Sequence, residues 1–333
     1  MEEIDICGIG NGLVDVILNV SEEEFASLGV AKGSMRLVTR EESRAILARF
    51  EGREQRLVSG GSAANSVIAA AELGCSAAFA TRLGEDRYGD HFAREFAELG
   101  VELGGGRDAT EPTGTCLVLV TPDAERTMQT YLGASALVGA DCVDEGLVAR
   151  SRWILLEGYL LGSPERGASA MRRAVELAKK HGRKVAVTFS AGFIVERFGG
   201  LLGEIVEASD LVFANAEEAK SFTGRASLDA ALDDLAAGGR GAAVTAGADG
   251  ALVSFEGRRF HAPAYRCCPV DLTGAGDVFA GAFLAGIARG IEPELAARGA
   301  SYLAMKVILQ VGARLWTGAR KSWEEAVGSE VRP

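Results

Sequence analysis

The chain has 333 residues, 48% of them hydrophobic, which suffices for a large core in one α/β domain with an insertion or in two domains, and argues against disorder. Its net charge of −11 argues against nucleic acid and anionic membranes as partners, yet a small polyanion is acceptable where backbone amides and a metal ion meet its charge locally. The 43 glycines against 7 prolines point to tight turns and close backbone approaches rather than a linker.

The opening Met1-Glu2-Glu3-Ile4-Asp5 is acidic and offers no secretory n-region or h-region, and no apolar run reaches the length of a membrane span. The six cysteines (Cys7, Cys75, Cys116, Cys142, Cys267, Cys268) show no paired spacing. Free thiols in a reducing, cytoplasmic compartment are expected. His91, His181 and His261 are too widely separated for a zinc site or a His-based triad.

Ile4 to Ile9 reads as a buried strand, and Gly10-Asn11-Gly12 turns the chain into Val14–Leu18. That run carries Asp15. A carboxylate there is costly unless something bonds it, and a sugar diol is a suitable partner. A solvated face is the competing reading. Met35-Arg36-Leu37-Val38 is another short strand. Ser59-Gly60-Gly61-Ser62-Ala63-Ala64-Asn65 opens a helix of small residues ending at Leu73-Gly74. Gly60 and Gly61 let a ligand approach the backbone, and Asn65 offers both a donor and an acceptor, or caps the helix. Thr115 to Thr121 and Thr127 to Tyr131 form a hairpin around Pro122-Asp123, with Arg126 at its turn.

The body alternates strands with helices. Ala77–Thr81, Trp153–Glu157, Val185–Thr188, Leu211–Ala214, Ala242–Thr245 and Gly250–Phe255 are the strands, and helices such as Arg166–His181 and Ser227–Ala237 lie between them. The pattern predicts a mainly parallel sheet with helices on both faces. Asn215 and Glu218 follow a strand at its carboxyl end, where open α/β sheets gather ligands. An ordinary helix N-terminus that favours acids is the alternative. Thr245 leads into Gly247-Ala248-Asp249-Gly250, a turn that by itself is as plausibly a hairpin. Gly8-x-Gly10 lacks the third glycine of a dinucleotide fingerprint, Leu13 standing in its place.

The most informative stretch is Asp271-Leu272-Thr273-Gly274-Ala275-Gly276-Asp277, which runs into the apolar helix 278–289. Successive N–H groups at the positive end of a helix stabilise an anion. A carboxylate at that spot repels phosphate unless it has its own task. Asp277 is therefore read as the acceptor of a hydroxyl proton, with Gly274, Ala275 and Gly276 holding the phosphoryl group under attack. An Asp capping a helix beside a Gly-rich turn is the alternative. No Walker-type P-loop occurs anywhere, so this late loop must do the cradling. Gly281 and Gly286, each costing about 1 kcal/mol relative to Ala in a helix interior, read as sites of close packing against the sheet.

With Gly60-Gly61 near the start and Gly274-Ala275-Gly276-Asp277 near the end, the sequence resembles the PfkB (ribokinase-like) family of carbohydrate and nucleoside kinases over nearly its whole length. Gly8-Ile9-Gly10-Asn11 with Asp15, Pro112-Thr113-Gly114-Thr115-Cys116, and Ser190-Ala191 followed by Phe193-Ile194 are similar to its adenosine-kinase branch. The resemblance implies one ribokinase-like α/β/α domain over 1–333 and a discontinuous β lid, from about 12–40 and 112–132, over the acceptor site. It implies ATP as co-substrate, with Asn215, Thr245, Gly247 and Gly250 along the nucleotide and Glu218 organising Mg²⁺ through water. Asn11, Asp15, Gly60, Gly61 and Asn65 fall to the sugar, Tyr159 and Phe193 to the base, and Asp271 to a possible K⁺. Leu272 departs from the usual small residue. Arg126 either swings onto the transferring phosphate or is a surface arginine on a turn. Arg36 falls near the purine, where a guanidinium, which only donates, suits the O6 and N7 of guanine or hypoxanthine at least as well as adenine.

The expected activity is in-line phosphorylation of the primary hydroxyl of a ribonucleoside such as adenosine, inosine or guanosine, with Asp277 as base. A kinase for ribose, fructose or a related sugar, and a non-catalytic binder on the same fold, are the alternatives. A monomer or homodimer is expected.

Overall fold

Strands buried on both faces have no polar side to show, and the longest apolar runs of the chain duly become the centre of a large sheet. The computed structural model describes residues 2–123, 125–315 and 318–328; Ala124 of the predicted hairpin turn and both chain ends of the expected 1–333 domain lie outside them. Nine strands follow one another in space as Arg258–Ala262, Ala251–Phe255, Gly241–Thr245, Leu211–Asn215, Lys184–Thr188, Ser151–Glu157, Ile4–Ile9, Ala77–Ala80 and Val101–Gly104. Neighbours are parallel from Val101–Gly104 through Gly241–Thr245, and the last two strands return antiparallel. Glu157 pairs with Thr188 and Asn215 with Thr245. Their side chains are thus delivered to one carboxyl edge of the sheet.

Each face is covered by helices. Ser62–Glu72, Arg87–Glu98, Ala275–Ala288 and Pro293–Val307 lie over one core, with Phe79, Phe92 and Phe96 at its centre. Pro164–Lys180, Gly192–Glu207, Ala216–Thr223 and Leu228–Leu235 cover the other. This is the ribokinase-like α/β fold. Gly281 and Gly286 do allow close packing, but against other helices rather than the sheet. A Cβ on Gly281 would stand 2.1 Å from the Ser66 carbonyl oxygen, and one on Gly286 2.6 Å from the Ala296 Cβ.

A second sheet of five strands, in the order Met35–Leu37, Arg126–Tyr131, Gly114–Val120, Leu13–Asn19 and Arg56–Gly60, stands over that carboxyl edge. Its fifth strand, Arg56–Gly60, lies outside the two segments from which the small sheet was expected. Side chains alternate strictly between its faces. Val16, Leu18, Leu117 and Leu119 turn outward and are buried under Phe25 and Ile46 from two short helices, Glu22–Ala26 and Arg40–Ala48, and under Phe50 just past the second. Ser21 and Thr39 start these helices with capping boxes. Leu13, Asp15, Cys116, Val118, Met128 and Thr130 turn the other way, into a cavity.

Among the described residues, all six cysteines are free and no helix is long and apolar enough to cross a membrane.

Candidate active site

The cavity between the two sheets has a volume of about 610 Å³. Its walls bring together most of the residues singled out in the sequence. Asn11, Asp15, Gly61, Asn65, Arg126, Tyr159 and Phe193 line one end, Asn215, Glu218, Thr245 and Gly247 the other, and Gly274, Ala275, Gly276 and Asp277 also line it. Arg36, Gly60, Gly250 and Asp271 do not line it.

Asp277 opens the helix Ala275–Ala288 after Gly274, whose φ of +80° places it in the left-handed region. A side chain there would also fall 2.4 Å from the Ala313 carbonyl oxygen, so the turn requires glycine. The first-turn N–H groups that follow have no intrahelical acceptor and point at whatever enters. The two carboxylate oxygens of Asp277 are held from opposite sides. Ser62 Oγ donates to Oδ1 at 2.6 Å and Asn65 Nδ2 donates to Oδ2 at 2.9 Å. Burial pushes this carboxyl up to about 6, while the two donors work against the rise. Asn65 is therefore not a helix cap: it sits inside the helix Ser62–Glu72 and orients the acid.

Glu157, fully buried at the end of its strand, lines the cavity and was passed over in the sequence. Its Oε1 accepts the Asn11 N–H and its Oε2 the Ala63 N–H, both at 2.7 Å. One carboxyl thus joins the turn before Asp15 to the start of the helix that carries Ser62 and Asn65. Burial pushes it up to about 7. The signal that pointed to Asp15, an acid in an apolar strand, is present at Glu157 too. Ser62 was likewise missed, although it follows Gly61 directly. Gly61 has φ +113°, and a Cβ there would fall 2.0 Å from the Asn11 carbonyl oxygen. Gly60, by contrast, would meet only the Asp15 carboxylate, at an ordinary 3.4 Å. Asp15 itself is half-buried, and its carboxyl is pushed up to about 6 by burial, opposed by Arg126 and Arg314.

Arg36 requires a correction. Strand alternation sends Met35 and Leu37 into the cavity and Arg36 to the opposite face, where it donates to Gln129 Oε1 at 2.7 Å and pairs with Glu42 at 3.0 Å. The cavity consequently has there an apolar wall of Met35, Leu37, Val118, Met128 and Leu132 in place of a guanidinium. Tyr159 and Phe193 add an aromatic pair, their ring centroids 6.0 Å apart.

Arg126 is neither free nor on the surface. It forms an ion pair with Asp271, buried at both partners. Asp271 also accepts from Thr273 N at 3.0 Å, Thr273 Oγ1 at 2.6 Å and Gly312 N at 2.8 Å. Burial works to raise its pKa, but these bonds outweigh it and hold the carboxyl below its ordinary value. Both oxygens are taken by donors, so the carboxylate as found does not fit a monovalent cation. Leu272 is 70% exposed at the cavity mouth.

At the far end, Asn215 and Glu218 close a capping box on each other: Asn215 Oδ1 accepts from Glu218 N and Glu218 Oε2 from Asn215 N, both at 2.9 Å. Burial raises the Glu218 pKa. Gly247 faces the cavity, whereas Gly250 serves the hairpin turn, since a Cβ there would stand 2.2 Å from the Ala262 carbonyl oxygen. Among the described residues no cluster of three or more His, Cys, Asp or Glu could hold a metal. A lone Glu218 facing the cavity fits a hard cation that keeps most of its waters and arrives with phosphates.

The sequence matches the model of the pfkB family of carbohydrate kinases over residues 27–317. It is 28% identical to the adenosine kinase of Saccharomyces cerevisiae, covering 91% of this chain and 94% of that one. The ribokinase of Haemophilus influenzae is also 28% identical, over 70% of this chain and 75% of its own. Among solved structures, adenosine kinase from Sinorhizobium meliloti superimposes with a TM-score of 0.87 at 33% identity, covering 97% of this chain and 99% of that one. A probable sugar kinase from Rhizobium etli gives the same TM-score at 32% identity, covering 98% and 99%.

Proposed function

The chain belongs to the pfkB family of ATP-dependent carbohydrate kinases, and we propose that within it the protein is a Mg²⁺-dependent ribonucleoside kinase acting on the primary hydroxyl, with adenosine as its foremost substrate. The observation that carries this reading is the apolar wall of Met35, Leu37, Val118, Met128 and Leu132, with the Tyr159–Phe193 pair, in the same cavity as Asp15 and Asp277. A free sugar has no flat apolar body to set against such a wall, whereas a purine does. The similarity to proteins named adenosine kinase over more than nine-tenths of the chain supports the same reading. Arg36, turned away from the cavity, offers no donor to the O6 and N7 of guanosine or inosine.

Asp15 accepts from the ribose diol, and Gly61 and Asn11 bring backbone close to the sugar. Asp277, aimed by Ser62 and Asn65, takes the proton of the primary hydroxyl as its oxygen forms the bond to the γ-phosphorus and the bond to the bridging oxygen of ADP breaks. The N–H groups of the Gly274-Ala275-Gly276 turn and the dipole of the helix it opens stabilise the phosphoryl group in transit. Asn215, Thr245 and Gly247 flank the nucleotide. Glu218 would hold Mg²⁺ through water, and the ion when bound would supply charge compensation on the phosphates. The five-stranded sheet acts as a lid over the acceptor, and its outer face, already covered by its own helices, suits a monomer. Comparing kcat/KM for adenosine, inosine, guanosine, ribose and fructose tests the assignment. A free sugar preferred by about tenfold or more, equivalent to 1.4 kcal/mol, overturns it.

A further inference from the structure

Asp271, the residue at which a monovalent cation was expected, is saturated by the protein's own donors. A carboxylate accepts about four hydrogen bonds, about two on each oxygen. Oδ1 accepts from Thr273 N at 3.0 Å and from Thr273 Oγ1 at 2.6 Å, and Oδ2 from Gly312 N at 2.8 Å and from Arg126 Nη1. The Thr273 hydroxyl in turn accepts from the same Arg126 Nη1 at 3.5 Å, which closes a ring of three side chains. The Ile308 carbonyl oxygen is doubly taken too, by the Val270 and Asp271 N–H groups at 2.7 and 3.2 Å.

These bonds join three separate pieces of chain. Asp271 and Thr273 lie just before Gly274, whose turn leads to Asp277. Gly312 precedes Ala313, the residue packed against Gly274. Arg126 opens the strand Arg126–Tyr131 of the small sheet. A buried carboxylate at such a junction requires a counter-charge, since desolvation strongly disfavours it alone. A dissolved cation is one way to supply it. Here the chain supplies it, as a guanidinium that stays charged at every working pH.

We propose that Arg126 is a built-in counter-ion of the glycine turn, occupying at Asp271 the place where the family resemblance puts K⁺, so that phosphoryl transfer by this enzyme needs no monovalent cation. Arg126 is in this sense a positioning residue: it acts through Asp271 on the turn that cradles the phosphoryl group. Without the guanidinium, Asp271 keeps its bonds to Thr273 and Gly312 but has a vacant place on Oδ2 and an uncompensated charge. Those are the two conditions for a dissolved cation to enter. The inference rests on phosphoryl transfer at this loop and not on which acceptor is used, so a failure of the nucleoside reading leaves it to be decided by itself.

The test follows product formation directly by chromatography, with no coupling enzyme, in chlorides of K⁺, Na⁺ and tetramethylammonium at one ionic strength. With MgATP and the best acceptor of the panel above, wild-type rates should agree within about twofold, because these salts screen charge alike. The wild-type melting temperature, a readout that needs no turnover, should not depend on the cation. Arg126→Ala should gain what the wild type lacks. Its rate in K⁺ should exceed that in tetramethylammonium by about tenfold, and its melting temperature should rise with K⁺ and not with tetramethylammonium. Arg126→Lys, which puts a charge back at the same place, should return to indifference. If Arg126→Ala does not fold, Arg126→Gln, which keeps a donor without the charge, takes its place. A larger K⁺ advantage in the wild type, an Arg126→Ala enzyme blind to the cation, or an Arg126→Lys enzyme that requires K⁺ would each overturn the proposal.

Discussion

At the acceptor end of the main cavity, the carboxyls of Asp277 and Glu157 are fixed by groups far away in the chain. Asp277 is bonded to Ser62 and Asn65, which stand 215 and 212 positions before it, and Glu157 to Asn11 and Ala63, 146 and 94 positions before it. At the donor end, Asn215 and Glu218 bond to each other across three residues, and Gly247 belongs to a hairpin turn. The acceptor end is thus rigid only because the whole domain is folded, while the donor end is pre-shaped by local backbone. A change at the first is expected to damage chemistry and stability together. A change at the second should alter ligand use and leave the fold alone.

The largest effect tests the base. Asp277→Asn should lower kcat by about 10²–10⁴-fold, and a variant keeping more than about a tenth of the wild-type rate would remove Asp277 from that role. Next comes Glu157→Leu, which leaves the Asn11 and Ala63 N–H groups without their acceptor; each such loss costs about 1–3 kcal/mol in denaturant unfolding. Glu157→Gln, with one acceptor oxygen retained, should lose less. If both substitutions are silent, the acceptor end is not held as described.

The pH dependence separates activity from stability by sign. Asp277 must be ionised to take a proton, so kcat/KM should rise with pH through about 6 and then level off. Stability should move the other way. Asp15, Asp277 and Glu157 have folded-state pKa values of about 6, 6 and 7, above their ordinary values of 3.8, 3.8 and 4.5, so the native state holds more protons than the unfolded one. Their contribution is complete below the unfolded values and is lost as pH climbs through the folded ones. Unfolding midpoints of the wild type and of Asp15→Asn across that window check this: the variant should show the shallower decline.

At the donor end, Glu218→Gln should raise the Mg²⁺ needed for half-maximal rate by a few-fold with little change in melting temperature, and an unchanged titration leaves Glu218 only its cap. The smallest effect belongs to Arg36→Ala, which should shift the ratio of kcat/KM for adenosine and guanosine by less than about twofold, within the range of a surface substitution.

The contrast also explains what could be read from the sequence. The strands Ile4–Ile9, Ser151–Glu157 and Leu211–Asn215 announce themselves as apolar runs, and the glycine loop before Asp277 through its composition. Arg56–Gly60, Val101–Gly104 and Arg258–Ala262 do not, because edge strands are short and need not be apolar. Arg36 was placed by its position along the chain, but in a three-residue strand the facing of one side chain depends on which neighbours are buried. All three residues of that strand are exposed, so its facing is set by its pairing with Met128, Gln129 and Thr130. Glu157 and Ser62 went unread because their significance lies in partners that only the folded chain brings near. The Asn215–Glu218 pair shows the reverse: its spacing was visible, while its capping geometry leaves one carboxylate oxygen outside the box for a ligand.

The Arg126–Asp271 pair ties the small sheet to the segment just before the glycine turn, with side chains only 9% and 7% exposed. Separating the sheet from the large domain would return both charges to water, and their recovered hydration offsets much of the attraction lost. Removing one partner is another matter, since the other is left charged and dry. The contact therefore behaves as a fastener that opens readily when both halves leave together and cannot be worn on one side only. Added salt reaches such a buried contact poorly. The small sheet is thereby tied to the glycine turn by a joint that ordinary ionic strength scarcely loosens.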